Sequence, residues 1–193
     1  MTRPFKIAVA GTHSTGKSTF VAALLSALAE AGLAAEGVHD SAADAMSLGF
    51  PILANHSFES TAWLMSQAIR LETEASLRAD VIVIDRPVPD ALGYMRAALR
   101  HQSRKLEPGR LERLEEICRT WVGEYDLIFV TVLDEQVPIG PGRPDNEAFR
   151  RLAARCVADV FEEMAPSAIP LRNGEVGAAV ATCMAAVRRH ASR

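Results

Sequence analysis

Short apolar runs alternate along this chain with longer stretches in which apolar residues recur every three or four positions. Phe5-Lys6-Ile7-Ala8-Val9-Ala10 is a mostly apolar run that predicts a buried strand. Residues 17–31 follow with Phe20, Val21, Leu24, Leu25 and Leu28 at helical spacing, and Gly32 stops them. Ala34 to His39 has a weaker strand pattern. Residues 57–78 predict a long helix whose inner side carries Leu64, Met65, Ala68, Ile69, Leu71 and Ala75. Asp80-Val81-Ile82-Val83-Ile84-Asp85 is the clearest strand of the chain. Pro87 and Pro89 then open a helix through about Arg100, and residues 108–121 predict another. Leu127 to Leu133 is a nearly continuous apolar strand. A Gly/Pro loop from Pro138 to Pro144 leads to a helix over 145–164, with Asp145 as its expected N-cap. Ala168 to Leu171 is a last short strand, and 175–189 is the closing helix.

Continuous apolar strands alternating with helices predict an α/β fold. The sheet should be mostly parallel and five-stranded, with helices on both faces. Ligands of such sheets bind beyond the carboxyl ends of the strands. Gly11 to Ser18, Asp85-Arg86 and the segment after Leu133 all fall there, so they can meet in one site.

The length of 193 residues suits one domain over 1–193. A net charge of −3 gives no electrostatic case for nucleic acid or for a membrane surface. Cys118, Cys156 and Cys183 are few, widely spaced and odd in number. They fit a reducing compartment and argue against a structural zinc site. No stretch approaches a transmembrane span, and the run before Gly11 is too short for a signal peptide, so the expected location is cytoplasmic.

Gly11-Thr12-His13-Ser14-Thr15-Gly16-Lys17-Ser18 spells G-x-x-x-x-G-K-S between the first strand and the first helix. That is the phosphate-cradling P-loop in its required context. Glycine lets the backbone curl so that several N–H groups aim at one phosphate, and the helix turns its positive end to the same place. Gly11, His13, Ser14, Thr15, Gly16, Lys17, Ser18 and Thr19 are the expected nucleotide-binding residues. Lys17, expected to face solvent in the absence of ligand, would reach the β- and γ-phosphates. Ser18 would hold Mg²⁺. Asp85 at a strand tip is the expected second metal residue. It could also orient or deprotonate an acceptor hydroxyl, and Arg86 could grip an acceptor phosphate or the transferring group. Asp90 reads more readily as an N-cap beside Pro89 than as a catalytic acid.

The P-loop, together with Asp85-Arg86-Pro87-Val88-Pro89-Asp90-Ala91-Leu92-Gly93-Tyr94, resembles the small AAA-type P-loop ATPase/kinase group. That group includes the nicotinamide-riboside kinase domain and is similar in layout to thymidylate and deoxynucleoside kinases. The resemblance implies a P-loop NTPase fold, ATP and Mg²⁺ as cofactors, and a short lid at about 135–155. Arg143, between glycine and proline, is the lid arginine it implies. Arg150, Arg151 and Arg155 read more readily as a solvated helix face. The resemblance also implies that Arg172-Asn173-Gly174-Glu175 lines the adenine, with Asn173 as the binding residue.

One departure stands out. Related kinases carry an acid and an arginine after the second strand to hold the acceptor. Here that stretch is His39-Asp40-Ser41-Ala42-Ala43-Asp44, so Asp40 supplies the acid and no arginine follows. This slightly favours a neutral hydroxyl acceptor over a phosphorylated one. Trp63 and Gln67 lie on the long helix expected to face the acceptor pocket. They could stack on and read a base, although a core tryptophan and an exposed glutamine is the plainer reading. The expected function is phosphoryl transfer from ATP to a small acceptor, first of all a nucleoside or nucleotide. A nucleotide-driven switch ATPase and a kinase of a non-nucleotide metabolite are the alternatives. Oligomeric state stays open, with a homodimer as one arrangement.

Overall fold

The computed structural model describes residues 3–137 and 146–192. The strands are β1 (Phe5–Ala10), β2 (Ala35–Val38), β3 (Val81–Asp85), β4 (Leu127–Thr131) and β5 (Ile169–Leu171). They form one sheet in the order β2-β3-β1-β4-β5. Every pairing is parallel, and Val9 stands opposite both Asp85 and Phe129. The helices are α1 (Lys17–Glu30), α2 (Ala42–Ser47), α3 (Phe58–Ala75), α4 (Val88–His101), α5 (Arg110–Val122), α6 (Glu147–Met164) and α7 (Val176–Ala191). A 3₁₀ turn covers Leu53–Asn55.

The period of two along each strand explains the layering. Phe5, Ile7, Val9, Val81, Val83 and Phe129 turn to one face, where Phe20, Leu24, Leu28, Cys183 and Val187 of α1 and α7 cover them. Ala8, Ala10, Ile82, Ile84 and Ile128 turn to the other face, under Ala75, Tyr94, Ala97, Phe149 and Val157 of α3, α4 and α6. Both faces are buried, so the central strands are apolar throughout. A third cluster, with Met65, Leu92, Met95, Leu114 and Val160, ties α5 into the helical layer. Gly93 lets α4 and α6 touch: a Cβ there would stand 2.7 Å from the Val157 Cα.

The expected elements form, with ends shifted by at most three residues. The stretch between β2 and α3 differs most. It holds α2 and the 3₁₀ turn, where no element was expected. Only Ala45 of α2 is buried, so no apolar stripe announces the helix. The cap of α6 is Asn146, whose Oδ1 accepts the Phe149 N–H, rather than Asp145. Asp145, Arg143 and the Gly/Pro segment of the expected lid lie outside the described residues.

Candidate active site

The P-loop leaves β1 at Ala10 and enters α1 at Lys17. Gly11 has φ +129°, and a Cβ there would fall 1.9 Å from the Thr131 Oγ1. A side chain at Gly11 would therefore displace the Thr131 hydroxyl as well as strain the backbone. Hydroxyls brace the loop from below. Thr15 Oγ1 donates to the Thr12 carbonyl at 2.8 Å and lies 2.7 Å from Thr131 Oγ1, which reaches the Ala10 carbonyl at 3.2 Å. Tyr94 of α4 donates its hydroxyl to Thr12 Oγ1.

Lys17 does not face solvent, contrary to the expectation from its position. Its ammonium folds back to the Thr12 carbonyl at 2.5 Å, and the side chain is buried. Burial, then the charge of Arg86, lowers its pKa to about 7 against the pull of Asp90, Asp85 and Asp40. Ser18 and Thr19 are exposed at the mouth. Asp85 lies at the tip of β3, and its Oδ1 is buried with no hydrogen-bond partner among the described residues. Burial raises its carboxyl above the usual range, although Lys17 and Arg86 oppose this. An orphaned, buried carboxylate oxygen and a P-loop serine hydroxyl are the kinds of oxygen donor a hard divalent cation takes, so these residues fit Mg²⁺.

Arg86 is engaged within the protein rather than projecting as a free cation. Its backbone sits at φ 66°, and its Nε donates to Asp40 at 2.6 Å. Its Nη1 donates to Asp90 at 2.8 Å and to the Gly11 carbonyl at 3.3 Å. The guanidinium carbon lies 4.9 Å over the Tyr94 ring. Asp40, after β2, is thus paired with the arginine that follows β3. Asp90 is not a helix cap: Pro87 holds that position, and Asp90 is buried. Its second oxygen accepts the Gly11 N–H at 2.8 Å, which fixes the start of the P-loop.

Arg150 corrects a second expectation. It is not on a solvated face but only 3% exposed. Its guanidinium donates to the carbonyls of Ser14 at 2.9 Å, Val137 at 3.2 Å and His13 at 3.4 Å. The signal was present in the sequence: Arg150 is three residues before Ala153, inside the apolar stripe of Phe149, Ala153, Cys156 and Val157. Arg151 instead pairs on the surface with Glu147 and Glu135. Asn173 stands beside the loop: its Oδ1 lies 3.7 Å from where a Gly16 Cβ would be, and its Nδ2 donates to Asp134 at 3.1 Å.

A cavity of about 380 Å³ opens between the tips of β2 and β3, α2, α3 and α4. His13, Asp40 and Arg86 stand on its wall, so it meets the P-loop. Neither Trp63 nor Gln67 lines it. Trp63 packs on Phe50 at 5.4 Å between ring centroids, and Gln67 accepts from Arg70 at 3.1 Å on the outer side of α3. His56, which the sequence reading missed, is buried on the cavity wall and stacks on Tyr94.

A family model described as an AAA domain matches residues 6–178. The chain belongs to this family. Among curated proteins no sequence match is significant. Solved structures share the fold. A NadR protein in complex with NAD and AMP-PNP has a TM-score of 0.68 at 15% identity, over 95% of this chain and 49% of the other. The thymidylate kinase of Candida albicans gives 0.67 at 12% identity, over 97% of this chain and 92% of its own. The deoxyadenosine kinase of M. mycoides with bound dATP gives 0.62 at 14% identity, over 95% and 100%. The chain spans about half the length of that NadR protein, and 46% of a NadR protein in complex with NR. The P-loop NTPase fold is therefore shared with kinases of nucleosides and nucleotides. No helix among the described residues is long and apolar enough to cross a membrane.

Proposed function

We propose that the protein is an ATP-dependent phosphotransferase acting on the hydroxyl of a small molecule. One observation carries the reading: the cavity of about 380 Å³ lies directly against the P-loop, within the range that encloses a small organic ligand. A switch ATPase has no need of that space. The kinase likeness of the fold supports the same reading.

The P-loop amides and Lys17 hold the triphosphate, and Asn173 stands toward the nucleotide from the far side of Gly16. The buried Lys17 amine becomes fully charged when phosphate replaces the Thr12 carbonyl as its partner. Ser18 and Asp85 would hold Mg²⁺, which would neutralise charge on the phosphates. Asp40, on the cavity wall, receives the acceptor's proton. The acceptor oxygen bonds to the γ-phosphorus, the bond from that phosphorus to the β–γ bridging oxygen breaks, and ADP leaves. Arg86 keeps Asp40 and the P-loop in register, and Arg143 is the proposed lid cation. The whole forms one kinase domain that closes over its substrates.

The test is a screen of acceptors with γ-labelled ATP beside a control without acceptor. Transfer of label to an acceptor supports the reading. Release of inorganic phosphate alone, unchanged by every acceptor, would replace it with a hydrolysing ATPase.

A further inference from the structure

The acceptor cavity has two unlike ends. At the P-loop end stand His13, Asp40, Arg86 and Asp90. Elsewhere its wall is mainly apolar, with Met46, Ile52, Leu64, Met65, Ala68 and Val88, beside which His39, Ser41, His56 and Tyr94 also line it. Among the described residues no asparagine, glutamine, threonine or lysine side chain lines it. Its charged groups are engaged with one another and with the backbone. Asp90 is taken by Gly11 and Arg86, and Arg86 by two carboxylates. The second oxygen of Asp40 accepts the Ala42 N–H at 2.8 Å.

His56 is the buried polar group of the wall with a ring nitrogen to spare. Its Nδ1 lies 2.9 Å from the Leu53 carbonyl oxygen, so the ring proton must sit on Nδ1. Nε2 is then a lone-pair acceptor on the wall. Burial lowers the ring's pKa to about 4, so it is neutral at neutral pH. His56 also feels the charges of Arg86 and Asp40, which places it at the polar end. His56 Nε2 and the remaining lone pairs of Asp40 offer a ligand acceptors. That suits a hydroxyl donor.

A nucleobase brings donors and acceptors around its whole edge. Each one buried unpaired against Ile52, Leu64 and Met65 would cost affinity about tenfold or more. A monophosphate brings two negative charges to a wall where Asp40 and Asp90 already outnumber Arg86. We propose that the acceptor is a neutral alcohol with an apolar aliphatic or aromatic body, its hydroxyl at the Asp40–His56 end and its body against the α2–α3 wall. This rests on the phosphotransferase reading above. The product is its phosphate monoester, formed with release of ADP and transfer of the hydroxyl proton to Asp40.

Two readouts separate the substrate class from the reaction. The probes are 1-alkanols from butanol to octanol and 3-phenylpropan-1-ol. Adenosine, thymidine and their 5′-monophosphates are run beside them. Binding is measured by calorimetry without nucleotide, and phosphoester formation by mass spectrometry with Mg-ATP. Affinity is expected to rise about fourfold per added methylene until the cavity is full. Phosphoesters of the alcohols are expected with kcat/KM above those of both nucleosides and monophosphates. Met46→Asp, at a wall position that is 61% exposed, should weaken alkanol binding at least ~10-fold and leave the melting temperature in place. Alkanols that do not bind, or a nucleoside or monophosphate turned over in preference, would overturn the substrate class. Chain-length-dependent binding with no phosphoester from any probe would uphold the class of ligand and overturn the phosphotransferase reading instead.

Discussion

Asp90→Ala tests the central joint of the site. Asp90 accepts the Gly11 N–H and an Arg86 N–H, each at 2.8 Å, and is 1% exposed. Truncation leaves a buried amide without an acceptor and removes one of the two carboxylates from Arg86. A hydrogen bond to a charged group contributes about 1.5–3 kcal/mol, and breaking a buried ion pair costs about 3–5 kcal/mol. Asp40 keeps Arg86 half-neutralised, so the lower part of that range, about 3–4 kcal/mol, is expected for the two bonds together. At about 2–4 °C per kcal/mol for a chain of this size, the midpoint should fall by roughly 6–16 °C. Asp90→Asn keeps an oxygen for Gly11 but turns an amide N–H₂ toward Arg86, and should lose about half as much. Thermal and urea unfolding of both variants, with Arg86→Met and the double variant to close the cycle, measure the coupling. A stability loss below about 1 kcal/mol for Asp90→Ala, or a coupling near zero, would refute the joint.

Arg150→Met keeps the packing of the stem and removes its bonds to three carbonyls. Stability should fall by about 2–4 kcal/mol, and ATP affinity at least ~10-fold by calorimetry, whereas Arg151→Met changes neither. Glu72 is buried among Lys6, Trp121 and Tyr125, and burial raises its carboxyl despite the bonds from Trp121, Lys6 and Tyr125. Between its unfolded value and the raised folded one the native state holds more protons. Its contribution therefore falls as pH rises through that window, and Glu72→Gln should gain on wild type with rising pH in urea melts. A gap that stays flat with pH argues against it. Lys17→Ala should lower turnover at least ~10²-fold while the fold survives, because the amine it removes is buried at a cost. Near-full activity in a folded variant would remove the nucleotide site. Asp85→Asn should lower turnover more than ATP affinity, and Arg86→Lys should be nearly as harmful as Arg86→Ala, since an ammonium cannot span Asp40, Asp90 and Gly11. Full rescue by lysine would reduce Arg86 to a point charge.

Local pattern was enough for the strands, most helices and the P-loop, because each rests on contiguous residues. The run Val81 to Ile84 reads as a buried strand by itself, and Gly11 to Ser18 reads as a phosphate cradle from its spacing. Asp85 could be placed at a strand tip from the same run. The partners could not be read this way. Arg86 meets Asp40 from beyond a different strand, Asp90 meets Gly11 from a helix 79 residues later, and Arg150 meets Ser14 from a helix 136 residues later. Such contacts depend on the order of strands in the sheet and on which helix face turns inward, and neither is a local property. The burial of Lys17 has the same origin. Its sequence position says only that it begins a helix after a glycine turn, whereas its fold against the Thr12 carbonyl and its pKa of about 7 follow from the walls that β3 and α4 build around it. The acceptor cavity is tertiary throughout. Val38, Met46, His56, Met65 and Tyr94 come from separate elements, and only their packing makes a space with an apolar body and a polar end.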